Sequence, residues 1–379
     1  MTLRILHVDT ERGWRGGERQ TLWLAAELAR RGHTSVIAAR AGEPLSHRAG
    51  EVGIDIVDCA PASELDVRAA WRLRRTIRER RIDVVHAHTA HAVALAGLAT
   101  LRTDIPLVVA RRVDFPLRAN AGTRWKYGRA SVIVAVSRAV ATVLERSGIS
   151  HDQIRVVPDG VDVHRSVAPA SRDLLATLGI GREAPLVVQV AQLVAHKDPL
   201  NFVRAMSRVR ERVPAATALL VGDGPLRSAA EAEVQSRGLS GVVHLTGYRT
   251  DADSLLAAAD VACLSSREEG MGSVLLDALT FGVPVAATSA GGIPEVIDHG
   301  ETGLLAAPEN PVALGDAIAT LLEDAPLRAR FARSARARSS EFSVERMTDR
   351  TMAVYEEALS ASGGGRRSRT LSASSTSSA

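Results

Sequence analysis

Glu269 and Asp277 are separated by seven residues, and Gly270 and Gly272 follow the first of them closely, in Glu268-Glu269-Gly270-Met271-Gly272. A carboxylate offers only acceptors, so it takes hydrogen bonds from sugar hydroxyls and cannot hold a phosphate. Backbone amides at a glycine-bearing helix entry do the opposite and approach an anion. Side by side, these groups predict a site for a nucleotide sugar. The competing reading is an ordinary strand–loop–helix joint with a solvated acidic tip, and this stretch alone does not separate the two.

The flanking residues supply the elements such a site needs. Val261 to Ser266 (VACLSS) reads as a short buried strand. Ser273 to Phe281 reads as a helix, with Val274, Ala278 and Phe281 on one face and Leu275 and Leu279 beside them. A similar unit opens the chain: a strand at Arg4 to Asp9, a loop ending in Gly16-Gly17, and a helix from Glu18 to Arg31. That glycine pair again favours an anion at a helix start, although a tight turn alone would explain it. Short apolar runs follow at His33 to Ala39, Ile54 to Cys59, Ile82 to His88, Pro106 to Arg112, Ser131 to Ser137 and Ile154 to Pro158. Their alternation with helical patterns predicts parallel sheets under covering helices. Ligands of such sheets sit beyond the carboxyl ends of the strands, which marks His86, His88, Arg111, Arg112, Asp114 and Ser137. A metal on His86, His88 and His91 lacks a carboxylate spaced to complete it.

Asp159 to Pro185 carries turn residues, polar stretches and a short helical pattern, and the alternation then restarts. Leu186 to Leu193 is a strand, and the loop Val194 to Asp198, bearing Lys197, leads into a helix that begins at Pro199. Further strands end in Gly222-Asp223-Gly224 and Gly247-Tyr248-Arg249. Asp251-Ala252-Asp253 has the form of a D-x-D metal signature, but it opens a helical run and reads as an acidic cap.

A length of 379 residues predicts two domains. Two cysteines, Cys59 and Cys263, exclude a disulfide scaffold or a cysteine-based zinc site. The net charge of +4 suits a phosphate-bearing substrate or an anionic membrane surface, and equally a GC-rich genome. Aromatic residues make up 3%, too few for the stacking groove that single-stranded nucleic acid requires. Absence of a long apolar run and of a leader-like N-terminus predicts a cytoplasmic protein. Arg68 to Arg81 is a basic amphipathic helix with Val67, Ala70, Leu73 and Ile77 expected inward and Arg68, Arg72 and Arg75 outward. It reads as a solvated covering helix, with docking on an anionic membrane as the alternative.

Read in order, WRGGERQTLWLAAELARRGH, IDVVHAH, VIVAVSRAV, IRVVPDGVD, VAQLVAHKD, LLVGDGPLR, EGMGSVLLDALTFGVPVAAT and AGGIPEVIDHGETGLL form a joint signature. Over residues about 1 to 360 the chain resembles glycosyltransferase family 4. The resemblance implies an α/β fold of GT-B architecture, two Rossmann-like parallel-sheet domains facing across a cleft. It implies an acceptor-binding domain at 1–165, a linker at 166–184, a nucleotide-sugar domain at 185–343 and a helix at 344–360 that crosses back to the first domain. The low-complexity tail at 361–379 is expected to be disordered. It implies that Glu269 contacts the donor sugar, Asp277 the ribose and Lys197 the diphosphate, while the amides of Gly270, Met271, Gly272 and Ser273 hold sugar and phosphate. Gly16 and Gly17 would close on the phosphates, with Tyr248 and Arg249 beside the base.

Three positions depart from the family pattern. Asp277 is one methylene shorter than the usual Glu. Gln192 replaces a frequent Arg, a charge that Arg249 or Arg112 could restore. Arg111-Arg112-Val113-Asp114 stands where many members carry a His-Asp pair, leaving His88 or Arg112 for that histidine's catalytic role. The implied activity is retaining transfer of a hexosyl-type sugar from a UDP- or GDP-sugar to a glycan or lipid-linked acceptor hydroxyl in cell-envelope synthesis, with no metal and no cofactor. Contact with an anionic membrane is an expected partner and nucleic acid is not. A nucleotide-sugar epimerase of the same fold is the alternative. A nicotinamide dehydrogenase would need a G-x-G-x-x-G turn that the chain lacks.

Overall fold

The computed structural model describes residues 2–373, with side chains to residue 363. Two compact units emerge: the residues up to Gly160 together with those from Val344 onward, and Val161–Ser343.

The first unit holds strands β1 (Arg4–Val8), β2 (Thr34–Ala39), β3 (Asp55–Asp58), β4 (Val84–Ala87), β5 (Leu107–Arg111), β6 (Val132–Ala135) and β7 (Ile154–Val156). They form one parallel sheet in the order β3-β2-β1-β4-β5-β6-β7. Runs such as Ile5-Leu6 and Val84-Val85 are wholly buried, as a parallel sheet covered on both faces requires. The chain builds outward from β1 to β3, then returns to β1's other side with β4. Ligands gather at such a reversal of strand order.

The helix Val344–Ala373 belongs to this unit, and its Val344, Met347, Val354, Tyr355 and Ala358 share a core with Leu3, Ile5, Leu24 and Leu28. It runs beyond the expected bound of 360, through the glycine triplet at 363–365. Elongating an existing helix requires no new nucleus, so each glycine opposes it by only about 1 kcal/mol. The rest of the tail, 374–379, lies outside the described residues.

The second unit holds β8 (Leu186–Val190), β9 (Thr217–Val221), β10 (Val243–Gly247), β11 (Val261–Leu264), β12 (Val285–Thr288) and β13 (Gly303–Ala306). Its parallel order is β10-β9-β8-β11-β12-β13, with the reversal between β8 and β11. Phe202, Met206, Leu220, Val261, Leu314 and Phe331 anchor its separate core. The expected linker groups with this unit, and its short helical pattern is the helix Arg172–Thr177, capped by Ser171. A further difference concerns Val67, which is 72% exposed rather than inward-facing. It is the first residue of the helix Val67–Glu79, one turn short of the buried Ala70, Leu73 and Ile77.

Candidate functional site

The reversal between β8 and β11 brings two loops together. After β8 the chain turns through Val194, and Asp198 takes left-handed φ of 45° to cap the helix Pro199–Arg212. After β11 it runs through Ser265, Ser266 and Arg267 to Glu269. The loops are sewn together: Ser265 Oγ donates to the carbonyls of Lys197 and Asp198 at 3.0 and 2.8 Å, and Arg267 Nε donates to Asp198 at 2.6 Å. The result is that Lys197 and Glu269 form a short ion pair, 72 residues apart in sequence. Ser266 Oγ donates to the same Glu269 oxygen at 3.0 Å. Glu269 is buried, while Lys197 keeps 21% of its side chain exposed.

Gly270, Met271 and Gly272 continue into the helix Ser273–Phe281. Gly272 is its N-cap with φ of 80°, a conformation that any other residue would strain to hold. A Cβ there would stand 3.1 Å from Leu264 Cδ2, and glycine brings no side chain to cap the first-turn N–H groups. Gln192 is exposed on the loop after β8. That loop is approached closely by Gly222, where a Cβ would lie 1.9 Å from the Ala191 carbonyl oxygen. Tyr248 is 64% exposed just after β10.

Asp277, about one turn into the helix Ser273–Phe281, is buried. Its Oδ1 accepts from Arg165 Nη2 at 2.9 Å, and Arg165 Nη1 donates to Asp253 at 2.9 Å. Asp251 stands at a helix N-cap but its side chain caps nothing; Arg249 holds it through two bonds of 2.7 Å. One expectation is thereby corrected: Asp251 is an ion-pair partner rather than a side-chain cap, because a bidentate guanidinium outcompetes a backbone N–H.

In the first unit, Gly16 and Gly17 are the opening residues of the helix Gly16–Arg30 rather than the end of a loop. Glu18, in that first turn, accepts from the Arg15 N–H at 2.8 Å. Burial, then the nearby Asp9 carboxylate, pushes Glu18 up to about 7. Asp9 is raised by burial and accepts from Thr21 Oγ1 at 2.8 Å.

His7 lies near the end of β1 and His86 in β4, where the two pair across the sheet; His88 follows β4 directly, and Arg112 follows β5. Arg112 Nε donates to Asp159 at 3.0 Å, and its Nη1 lies 3.4 Å from His88 Nδ1. A guanidinium only donates, so His88 Nδ1 accepts and its proton sits on Nε2, which donates to His7 Nδ1 at 3.0 Å. His86 pairs with the Tyr355 hydroxyl at 2.7 Å. Burial first, then the Arg112 charge, pushes His7 down to about 3, and burial likewise lowers His86 and His88. The ligand atoms of His7, His86 and His88 lie within 4.8 Å of one another. With both nitrogens of His88 engaged, a cation there would have to break the chain to Arg112 and His7. His91 lies outside the group, 3.3 Å from Glu64. His88 and Arg112, the two candidates for one role, are thus brought into a single cluster.

Sequence reasoning did not find Arg165, Asp159, Ser266 or His7 as members of these clusters. The first two sit in a turn-rich stretch that reads as linker, and nothing local marks them.

Residues 172–338 match the family model for glycosyl transferases group 1, and residues 14–165 match that for glycosyltransferase family 4. A 2-deoxystreptamine glucosyltransferase of Streptomyces kanamyceticus is 30% identical over 290 residues, 75% of this chain and 73% of its own. An N-acetyl-alpha-D-glucosaminyl L-malate synthase of Bacillus anthracis is 26% identical over 304 residues, 78% of this chain and 80% of its own. Among solved structures, Anabaena HepE in complex with UDP-glucose superposes with a TM-score of 0.81 at 24% identity, covering 95% of this chain and 100% of that one. The relatives are a transferase and a synthase, which leaves the epimerase alternative without support. Two parallel sheets, their loops and these matches lead to one assignment: the chain belongs to the group 1 (family 4) glycosyltransferases of the GT-B fold, enzymes that transfer a sugar from a nucleotide sugar.

Proposed function

We propose that the enzyme moves a hexosyl unit from a UDP- or GDP-sugar to a hydroxyl of a glycan or lipid-linked acceptor, with retention at the anomeric carbon and without a metal or cofactor. The observation that carries this reading is the Lys197–Glu269 pair at the glycine-bearing turn of the second unit. An arriving diphosphate takes the lysine's charge, and the released carboxylate accepts hydrogen bonds from the sugar. Lys197 and the amides of Gly270 to Ser273 stabilise charge on the leaving diphosphate, as preorganised donors do without a cation. Asp277 lies at the ribose and Tyr248 beside the base, with Gln192 near the diphosphate. Within the first unit, Gly16 and Gly17 offer helix-start amides to an anion, and Arg112 with His88 serves a sugar or acceptor hydroxyl. Asp251 and Asp253, the groups a metal would use, are each matched by an arginine.

We place the work in the cytoplasm, on the inner face of the plasma membrane, in cell-envelope polysaccharide or lipopolysaccharide synthesis. The helix Val67–Glu79 supports a peripheral contact: exposed Leu65, Val67 and Trp71 accompany Arg68, Arg72 and Arg75. Among the described residues, no helix is long and apolar enough to cross a membrane.

The deciding experiment is calorimetry in EDTA with UDP-glucose, UDP-GlcNAc, UDP-galactose and GDP-mannose, on wild type and Glu269→Ala. One sugar nucleotide is expected to bind selectively and to bind more weakly to the variant. Binding of none, or binding and turnover only with added Mn²⁺, overturns the proposal.

A further inference from the structure

Asp277 lies beneath Arg165. The carboxylate side chain is 3% exposed and the guanidinium side chain 23%, so anything approaching from solvent meets the arginine first. Three restraints fix the guanidinium: Asp277 on Nη2, Asp253 on Nη1, each at 2.9 Å, and the Phe281 ring 5.2 Å from Cζ. Of its five N–H donors, these pairs use two, and Nε is buried without a hydrogen-bond partner among the described residues. Each Nη therefore retains a second N–H.

We propose that Arg165 is the residue that contacts the nucleotide's ribose, donating from its outer edge to the ribose hydroxyls, with Asp277 and Asp253 as the groups that hold it. This rests on the donor-site reading above. One arginine between two aspartates carries a net negative charge, which disfavours phosphate and suits a neutral hydroxyl. Such an edge selects ribose over deoxyribose, because a deoxy carbon leaves the desolvated donor unpaired.

The test compares dissociation constants for UDP and 2′-deoxy-UDP, and for GDP and 2′-deoxy-GDP, by calorimetry. Wild type is expected to prefer the ribonucleotide by about tenfold or more, the usual value of a hydrogen bond to a charged group. In Arg165→Met the preference falls to about one. Arg165→Lys, which keeps a cation between the aspartates, retains part of it and controls for folding. Asp277→Ala, which leaves Arg165 its Asp253 partner, lowers it only partly, and the double variant loses no more than Arg165→Met alone. An unchanged preference in Arg165→Met overturns the proposal. If Asp277→Ala alone abolishes the preference, the carboxylate contacts the ribose directly and Arg165 does not. If no diphosphate binds to wild type, the donor-site reading fails first and this inference falls with it.

Discussion

Lys197 has one charge and two claimants, Glu269 in the free protein and a diphosphate in the proposed complex. Lys197→Ala should lower kcat by about 100-fold or more, the effect of removing one preorganised donor. Initial-rate assays with saturating donor measure it, and near-wild-type turnover would remove the lysine from the mechanism. Glu18 gives a second residue-level expectation. Its folded value of about 7 lies above the ordinary 4.5, so the folded chain binds the proton more tightly than the unfolded one. Its contribution is therefore full below pH 4.5 and is lost as pH rises through 7, by about 1.4 kcal/mol per pH unit across that window. Glu18→Gln keeps an acceptor for the Arg15 N–H, and it should gain stability over wild type as pH rises from 5 to 8 in urea melts. Parallel profiles would show that Glu18 does not titrate there. The loop that carries Glu269 was legible in sequence because its glycines mark a helix entry, whereas Lys197 was singled out by the family resemblance. Arg165 was not, because 112 residues separate it from Asp277 and only the folded unit joins them.

At the scale of elements, apolar runs of three to six residues announced most of the parallel strands, because both faces of each sheet's centre are covered. Ends were less legible. Gly16 and Gly17 read as loop, yet they open a helix, since the first-turn residues donate no intrahelical hydrogen bond and glycine is tolerated there. Val67 read as core for the converse reason: helical periodicity says nothing about where the neighbouring element stops. Its exposure makes the helix Val67–Glu79 more apolar outside than its pattern suggested. Each basic side chain near an anionic surface adds about 1 kcal/mol to binding. Reversing Arg68, Arg72 and Arg75 to Glu should therefore weaken sedimentation with phosphatidylglycerol vesicles by about 100-fold or more. No vesicle binding by wild type at low salt would return this helix to an ordinary solvated cover.

The molecule as a whole is not a simple tandem of two domains. The first unit is completed by residues that follow the second. Tyr355 is fully buried there, and Val344, Met347, Val354 and Ala358 fill the same core. Ending the chain at residue 343 should remove more than about 5 kcal/mol from the first unit, comparable to a domain's whole stability. Melting followed by calorimetry would then show the second unit's transition alone, and a first-unit transition at the wild-type temperature would contradict this. The apolar pattern of Val344 to Leu359 made the helix legible, but nothing in that pattern names the sheet on which it rests.

This returning helix also dictates an order of events during synthesis. Val161–Ser343 is contiguous and can close its core as soon as it leaves the ribosome. The first unit, although made earlier, must wait for Ala358, almost 200 residues after Gly160. At roughly 5–20 residues per second that wait is about 10–40 s, during which the apolar faces of Leu24, Leu28 and Val108 lie uncovered. The N-terminal half of the newborn chain is thus the part most in need of a chaperone, and it matures last.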